Sequence, residues 1–233
     1  MLKSTLLLIS LYFVSLAHSN GKVVIESAPG THSVLKGSSE YHRMGDKVNF
    51  NVNVGGLGPG YSRNQGLSTG IYLSDDSLIL VDVTSGRGFA SRSYTSSDGT
   101  TSISGENEVD HLSLGVHYKL FTGNSFYVRS GVDLMNIKYR YDYNSPFGNS
   151  YNSRFDANVL FGQVAIGNQW QVDNLTIGCD WVGLAVPLVT QLDNKSIQGN
   201  FDNFDREDLN EDINLYTKIS SLLLLRLYVG GSF

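Results

Sequence analysis

The sequence predicts an all-β fold, an eight-stranded antiparallel up-and-down transmembrane β-barrel. Three observations carry the prediction. Apolar and polar residues alternate with period two over eight segments, tight connections alternate with long polar ones, and the chain closes on an apolar alternating strand. In that last strand, LLLLRLYVGGSF, Leu223, Leu225, Leu227, Val229, Gly231 and Phe233 share one face, while Arg226, Tyr228 and Ser232 share the other. Apolar residues at a chain end gain little from water. The question is which solvent that face meets.

Composition favours strands and narrows the function classes. The 233 residues include 13 Tyr, 11 Phe and 25 Gly but only 4 Pro, and 17% are charged. Mean hydropathy is −0.12, slightly polar. A net charge of −5 with no basic, aromatic-interleaved cluster speaks against nucleic acid as a partner. The single cysteine, Cys179, excludes an internal disulfide and a cysteine-based metal cage. It lies in a strand-like run and reads as a buried or lipid-facing small hydrophobe.

The N-terminus predicts export. Lys3 supplies a positive start, Leu6 to Ala17 an apolar core, and Ala17-His18-Ser19 the small residues a signal peptidase reads. The apolar run is shorter than the ~20 residues of a spanning helix. The expected organisation is a signal peptide over 1–19, a periplasmic or rim-plugging segment over 20–46, and an outer-membrane barrel over 47–233.

The strands follow in order. Val48, Phe50, Val52 and Val54 oppose Asn49, Asn51 and Asn53; Leu67, Thr69, Ile71 and Leu73 form the next apolar face. Ile79, Val81 and Val83 point outward with Asp82 inward. Leu112, Leu114, Val116, Tyr118 and Leu120 oppose His111, Ser113, Gly115, His117 and Lys119. Phe126, Val128, Val132 and Leu134 oppose Tyr127, Arg129 and Asp133. The apolar phase then slips at Met135–Asn136, placing Ile137, Tyr139, Tyr141 and Tyr143 on the apolar face, and a β-bulge is the expected cause. Leu160, Val164, Ile166 and Trp170 alternate with Gln163, Gly167 and Gln169. Leu175, Ile177, Cys179, Trp181 and Ala185 alternate with Thr176, Gly178 and Asp180. With the last strand the count is eight, and an even count suits a closed antiparallel barrel.

Connections give an independent reading. Ser74 to Ser77, Thr122 to Asn124 and Asp173-Asn174 are tight. Gly55 to Gly66, Ser85 to Glu108, Asn144 to Arg154 and Thr190 to Asp212 are long and polar. Short turns on one rim and long loops on the other characterise transmembrane barrels. The segment from Ile213 keeps a strand phase but runs longer than the ~9–11 residues of one crossing. Its first part is either a strand extension or a helix beginning near Leu209.

The polar face holds Arg129, Asp133, Lys138, Arg140, Asp180 and Arg226, which suits a hydrated lumen of opposite charges; Arg129, Asp133, Asp180 and Arg226 are its expected cluster. Alternation alone does not tell inside from outside. The export signal, the segregated loops, the aromatics near strand ends (Tyr139, Tyr141, Tyr143, Trp170) and the terminal Phe233 favour lipid outside. On these residues the chain resembles small outer-membrane β-barrel proteins of Gram-negative bacteria, such as the membrane domain of outer-membrane protein A. The resemblance covers Lys47 to Phe233 at the level of architecture. It implies residence in the cell outer membrane, and an assembly signal in Leu225, Leu227, Val229 and Phe233. Gly231 departs from the bulky residue often third from the end. The implied partners are outer-membrane lipid and the barrel assembly machinery.

Three functional classes fit. One is a structural or surface-interaction barrel whose long loops meet an extracellular ligand or host surface, and this is the expected class, with no enzyme activity and no cofactor. A narrow solute channel is the second. The third is a lipid A-modifying enzyme using His111 and Ser113, which share a strand face, with Glu108 or Asp133 to orient the histidine. Both face the lumen in this reading, whereas a lipid substrate arrives from the bilayer. The acidic run from Asp202 to Asp212 lacks the glycine and spacing of a calcium loop. Gly55 to Gly60 follows a strand without opening a helix, so it is no phosphate cradle. His117 reads as lumen packing.

Overall fold

The computed structural model describes residues 39–43, 45–57, 63–95, 102–144, 150–199 and 203–233. The expected signal peptide, residues 20–38 and Gly58 to Gly60 lie outside the described residues, as do the side chains of Tyr143, Asp205, Glu207 and Asp208. Eight strands among the described residues close into one antiparallel ring in sequence order. They are β1 (Val48–Leu57), β2 (Arg63–Ser74), β3 (Ser77–Thr95), β4 (Ser102–Phe121), β5 (Phe126–Asn144), β6 (Ser150–Val172), β7 (Leu175–Gly199) and β8 (Ser221–Ser232). Two helices flank them: α1 (Ser39–Arg43) and α2 (Asn203–Thr217).

The ring closes by pairing β1 with β8, from Asn49–Ser232 to Leu57–Leu224. The last residue finishes the seam. The Phe233 carbonyl accepts from the Lys47 and Val48 amides at 2.6 and 2.9 Å, and its own amide donates to the Val48 carbonyl at 2.9 Å. Closure leaves no sheet edge along the lower wall, which is what a barrel achieves that an open sheet cannot.

Alternation decides what each face meets. Val52, Leu67, Val81, Leu114, Val132, Leu134, Ile177 and Leu227 all stand outward and exposed, while Asn49, Asn51, Ser68, Asp82, His117 and Gln169 are buried inside. This is the reverse of a soluble barrel, where the apolar set fills the interior. The apolar belt begins at the tight-turn rim, with Leu73, Val172 and Leu175. It ends where the outward positions turn polar, at Gln65, Ser85, Asp110, Lys138, Asp156 and Gln191.

That upper boundary corrects the expected bulge in β5. Its pairing with β4 and with β6 runs without a shift from Phe126 to Asn144. Met135, Ile137 and Tyr139 point inward, at 3, 1 and 2% exposure, and Tyr141 packs with them. Lys138 and Arg140 are the outward, exposed residues. The backbone keeps its phase; the solvent changes. Above the belt the outer face meets water, so the apolar residues move to the inner face.

True bulges lie elsewhere. The β6–β7 register shifts at Ile166/Gly167 and Leu160/Phe161, leaving Trp181 and Leu188 as extra residues in β7. The first shift turns Ala185 inward, to 0% exposure, against its expected outward place. In β8 Leu225 takes a left-handed φ of 50° beside Gly55 (φ 81°) on β1, with no register shift to either neighbour. A Cβ on Gly55 would lie 3.6 Å from the Leu225 carbonyl, but its backbone angle is what excludes other residues cheaply. Leu225 stays outward and Leu223 turns inward, partly buried against the core, another departure from the simple alternation.

The wall is uneven. β1, β2 and β8 span 10, 12 and 12 residues. β3 to β7 span 19 to 25. Much of three expected polar loops is therefore strand: β3 runs to Thr95, β4 starts at Ser102, β6 starts at Ser150 and β7 reaches Gly199. Polar residues there reflect water on the outer face, not loss of the ladder. Pairing of β7 with β8 stops at Ala185–Ser221, so β7 is an edge strand above that point. Pro187, which has no amide to donate, lies on this edge and is tolerated there.

The helix reading of the C-terminal segment holds, with the start at Asn203. α2 drops into the space enclosed by the tall wall. Leu209, Ile213 and Tyr216 join Val109, Met135, Ile137, Tyr139, Phe155, Ala157, Val159, Phe161 and Ala185 in one apolar core. Tyr139 stacks on Phe155 at 4.9 Å and meets Tyr216 at 5.6 Å. Tyr139 also donates to buried Asp212, Thr190 Oγ1 donates to the Thr217 carbonyl at 2.7 Å, and Lys195 Nζ donates to Asn210 Oδ1 at 2.6 Å.

Candidate functional site: the filled lumen

The inward faces make three layers between the two rims. At the tight-turn end, Tyr72, Leu78, Leu80, Phe121, Tyr127 and Tyr228 form a compact aromatic layer. Lys119 lies within it, 2% exposed. Its ammonium donates to Gln169 Oε1 at 3.0 Å and Tyr228 Oη at 3.1 Å, and sits 4.2 Å from the Tyr127 ring centre. An ammonium without a direct carboxylate needs such oxygens and ring faces to offset its lost hydration. Gln169 Nε2 donates in turn to Tyr72 Oη at 3.1 Å.

Beneath this layer α1 seals the rim. Arg43 is 1% exposed and spans two tight turns, donating to the carbonyls of Asp75, Asn124 and Gly123 at 3.0, 2.6 and 3.3 Å. Its guanidinium stacks 4.0 Å from the Phe121 ring centre. Burial pulls the Arg43 pKa below its ordinary value, only partly offset by Tyr72 and nearby carboxylates. Ser39 Oγ accepts from the Gln171 amide at 3.0 Å, and Gln171 Nε2 donates to Asp46.

The middle layer is an ion-pair network with Asp82 at its hub. Asp82 Oδ2 receives Arg129 at 3.1 Å and Arg226 at 3.0 Å, and His117 Nε2 lies 3.3 Å from it. Arg129 also reaches Asp180 Oδ2 at 3.0 Å, and Tyr127 Oη donates to Asp180. His117 bridges onward to Asp133 at 3.3 Å, where Ser113 donates at 3.4 Å. Gly115 makes the bridge possible. A Cβ there would stand 2.1 Å from Asp133 Oδ1 and 2.6 Å from His117 Nε2. The α2 core forms the third layer.

The four residues expected as a lumen cluster, Arg129, Asp133, Asp180 and Arg226, thus meet in one network. The sequence reading missed its centre: Asp82 stood inward in SLILVDV, a lone charge in an apolar strand, and His117 and Lys119 lie on the next strand. The catalytic alternative finds no support in the geometry. His111 and Ser113 both face inward, but neither ring nitrogen of His111 has a hydrogen-bond partner, and Ser113 gives its proton to Asp133. Among the described residues no group of His, Cys, Asp and Glu forms a metal site. Cys179 is buried at 2% exposure.

The residues of the expected assembly signal line the outer surface of β8. Leu225, Leu227, Val229 and Phe233 are 53, 50, 45 and 67% exposed. Gly231 lies under the terminal ring: a Cβ there would sit 3.0 Å from two Phe233 ring carbons. The unusual residue third from the end makes room for the last one.

Between the network and the α2 core is a cavity with about 40 Å³ open to the centres of water molecules. At ~10–15 Å³ each that is room for roughly three waters. Asn53, Ser113, Arg129, Asp133, Gln163 and Arg226 supply its polar lining.

No protein-family model and no curated protein matches the chain. Solved structures do. A major outer membrane protein from Thermus thermophilus superposes with a TM-score of 0.50 at 20% identity, covering 80% of this chain and 99% of that one. The fold is that of an outer-membrane β-barrel. Acinetobacter baumannii CarO matches with a TM-score of 0.41 at 12% identity, over 80% of this chain and 97% of that one. CarO2 of the same organism gives 0.46 at 11%, over 81% and 99%.

Proposed function

We propose that the protein is a non-conducting barrel of the bacterial outer membrane that acts through the tall wall and helix it raises above the bilayer. The single observation that carries this reading is the filled lumen. An aromatic layer with Lys119, a charged network on Asp82 and the α2 core stand in series, and eight strands enclose little more than their own side chains. A solute crossing would have to part buried ion pairs and an apolar core, each costing several kcal/mol. What remains available to partners is the surface above the belt: the water-facing sides of β3 to β7 and the exposed side of α2. An extracellular ligand or a host surface is the partner class that such a platform serves.

The same reading places outer-membrane lipid around the apolar belt and makes β8 the strand read by the barrel assembly machinery. Tight turns and α1 then face the periplasm, and α2 faces outward. Planar-bilayer recording of the refolded protein tests it. The expected record is a flat baseline at applied voltages that open porins, and stable unitary current steps from wild-type protein would overturn the reading in favour of a channel.

A further inference from the structure

The lumen cavity has more in its lining than a void between layers requires. Asn53 is 3% exposed, yet neither its carboxamide oxygen nor its nitrogen has a partner. Asp133 Oδ2 and Arg129 Nε are also buried without a hydrogen bond, as is Arg226 Nε, whose nearest carboxylate oxygen, Asp180 Oδ2, is 4.0 Å away, and all four residues line this one space. Buried groups of this kind need a partner, because each costs free energy if left bare. Opposite them the lining is apolar, from Met135, Ala165 and Leu223. Water satisfies the polar side and gains nothing from the apolar one.

Charge narrows the occupant. The charged groups of the lining balance, Asp133 and Asp180 against Arg129 and Arg226. A net ion of either sign would unbalance a set already compensated. The hydrogen-bonding capacity narrows it further. Asn53 offers a donor and an acceptor side by side, which a primary amide complements with its own C=O and N–H. Asp133 Oδ2 can take the second amide proton. The space also reaches the surface: its lining includes Gln65 and Leu224, both exposed, at the top of the low β8–β1–β2 wall. That gives access from the side, beneath α2, without a path through the barrel.

We propose that this cavity is a binding site for a small uncharged primary amide, with its carboxamide paired to Asn53 and its carbon end against Met135, Ala165 and Leu223. The site is lined by the barrel's own side chains and does not depend on the membrane or surface role.

Saturation-transfer NMR with acetamide as the probe tests it, using two variants whose folding is confirmed by heat-modifiable gel migration. Asn53→Leu removes the paired amide and Ala165→Met fills the apolar end. Saturable transfer to acetamide is expected in the wild type, weakened at least tenfold in whichever variant folds. Acetate and ethylammonium, of similar size but charged, should fail to displace it. No transfer to acetamide would mean that the cavity holds water only, and would overturn the site. Undiminished transfer in a folded variant would overturn its location, and displacement by either ion as effective as by acetamide itself would overturn the ligand class.

Discussion

At the scale of single residues, burial decides which charges matter. Asp82 is 2% exposed and holds Arg129, Arg226 and His117 on one oxygen. Asp82→Ala leaves the buried Arg129 and the partly buried Arg226 short of their partner, a loss of about 3–5 kcal/mol. The Arg140–Asp142 pair is as close, at 2.7 Å, but half in water, and Arg140→Ala should cost at most about 1 kcal/mol. Urea unfolding from detergent or lipid measures both, and equal effects would contradict the ranking. Phe233 is the residue whose role exceeds its packing. Its ring is 67% exposed, and the seam keeps its other rungs without it. Deletion removes one aromatic, about 2 kcal/mol of burial at most. The deletion variant should therefore refold in detergent while its outer-membrane level in cells falls sharply, as read by membrane fractionation; wild-type levels would reject the assembly-signal assignment. In the sequence, Arg129, Asp133, Asp180 and Arg226 were legible as lumen charges because each lies on the face opposite an apolar one. Asp82 was legible as inward, but of its partners only His117 is on the neighbouring strand; Arg129 and Arg226 come from β5 and β8, and only closure of the ring shows them meeting.

Among the elements, α2 is the one whose removal separates the two halves of the molecule. Its apolar side, Leu209, Ile213 and Tyr216, packs against inner faces of the tall wall. Leu209→Ala opens a cavity worth about 2–5 kcal/mol there. Hydrogen exchange should then quicken in the amides of 209–217 and leave β1, β2 and the lower half of β4 protected. Loss of protection throughout the ring would show that α2 holds the whole barrel rather than caps it. The helix was only half legible, since Leu209, Ile213 and Tyr216 recur at helical spacing while the run from Ile213 also alternates like a strand. The expected bulge in β5 failed for a related reason. Ile137 and Tyr139 are apolar because α2 covers them from inside, and a sequence read strand by strand cannot see a covering helix. The bulge at Trp181 and the left-handed backbone at Leu225 left no comparable mark, because each has an apolar neighbour, Val182 or Leu224, that suits the outer face equally well.

For the whole molecule, one ring of strands crosses two solvents without changing its phase. Between Leu73 and the ring of Gln65, Asp110, Lys138 and Asp156, the outward face is mostly apolar and the inward face carries the charged network and the aromatic layer; above it the outward residues turn polar and the inward ones apolar. The alternation, the strand count and the tight turns were all legible, because each is a local property of the chain. The height of the wall was not, because polar residues in a strand above the belt read like loop. The inversion is the central claim, and β5 carries it in a single unbroken strand. The most direct test places single cysteines at 128, 132, 134, 138 and 140 in a Cys179→Ala background, labels them with a fluorophore, and compares quenching by brominated lipid and by iodide. The account predicts lipid quenching at 128, 132 and 134 and iodide quenching at 138 and 140. Lipid quenching continuing through 138 and 140, or iodide reaching 132 and 134, would contradict it.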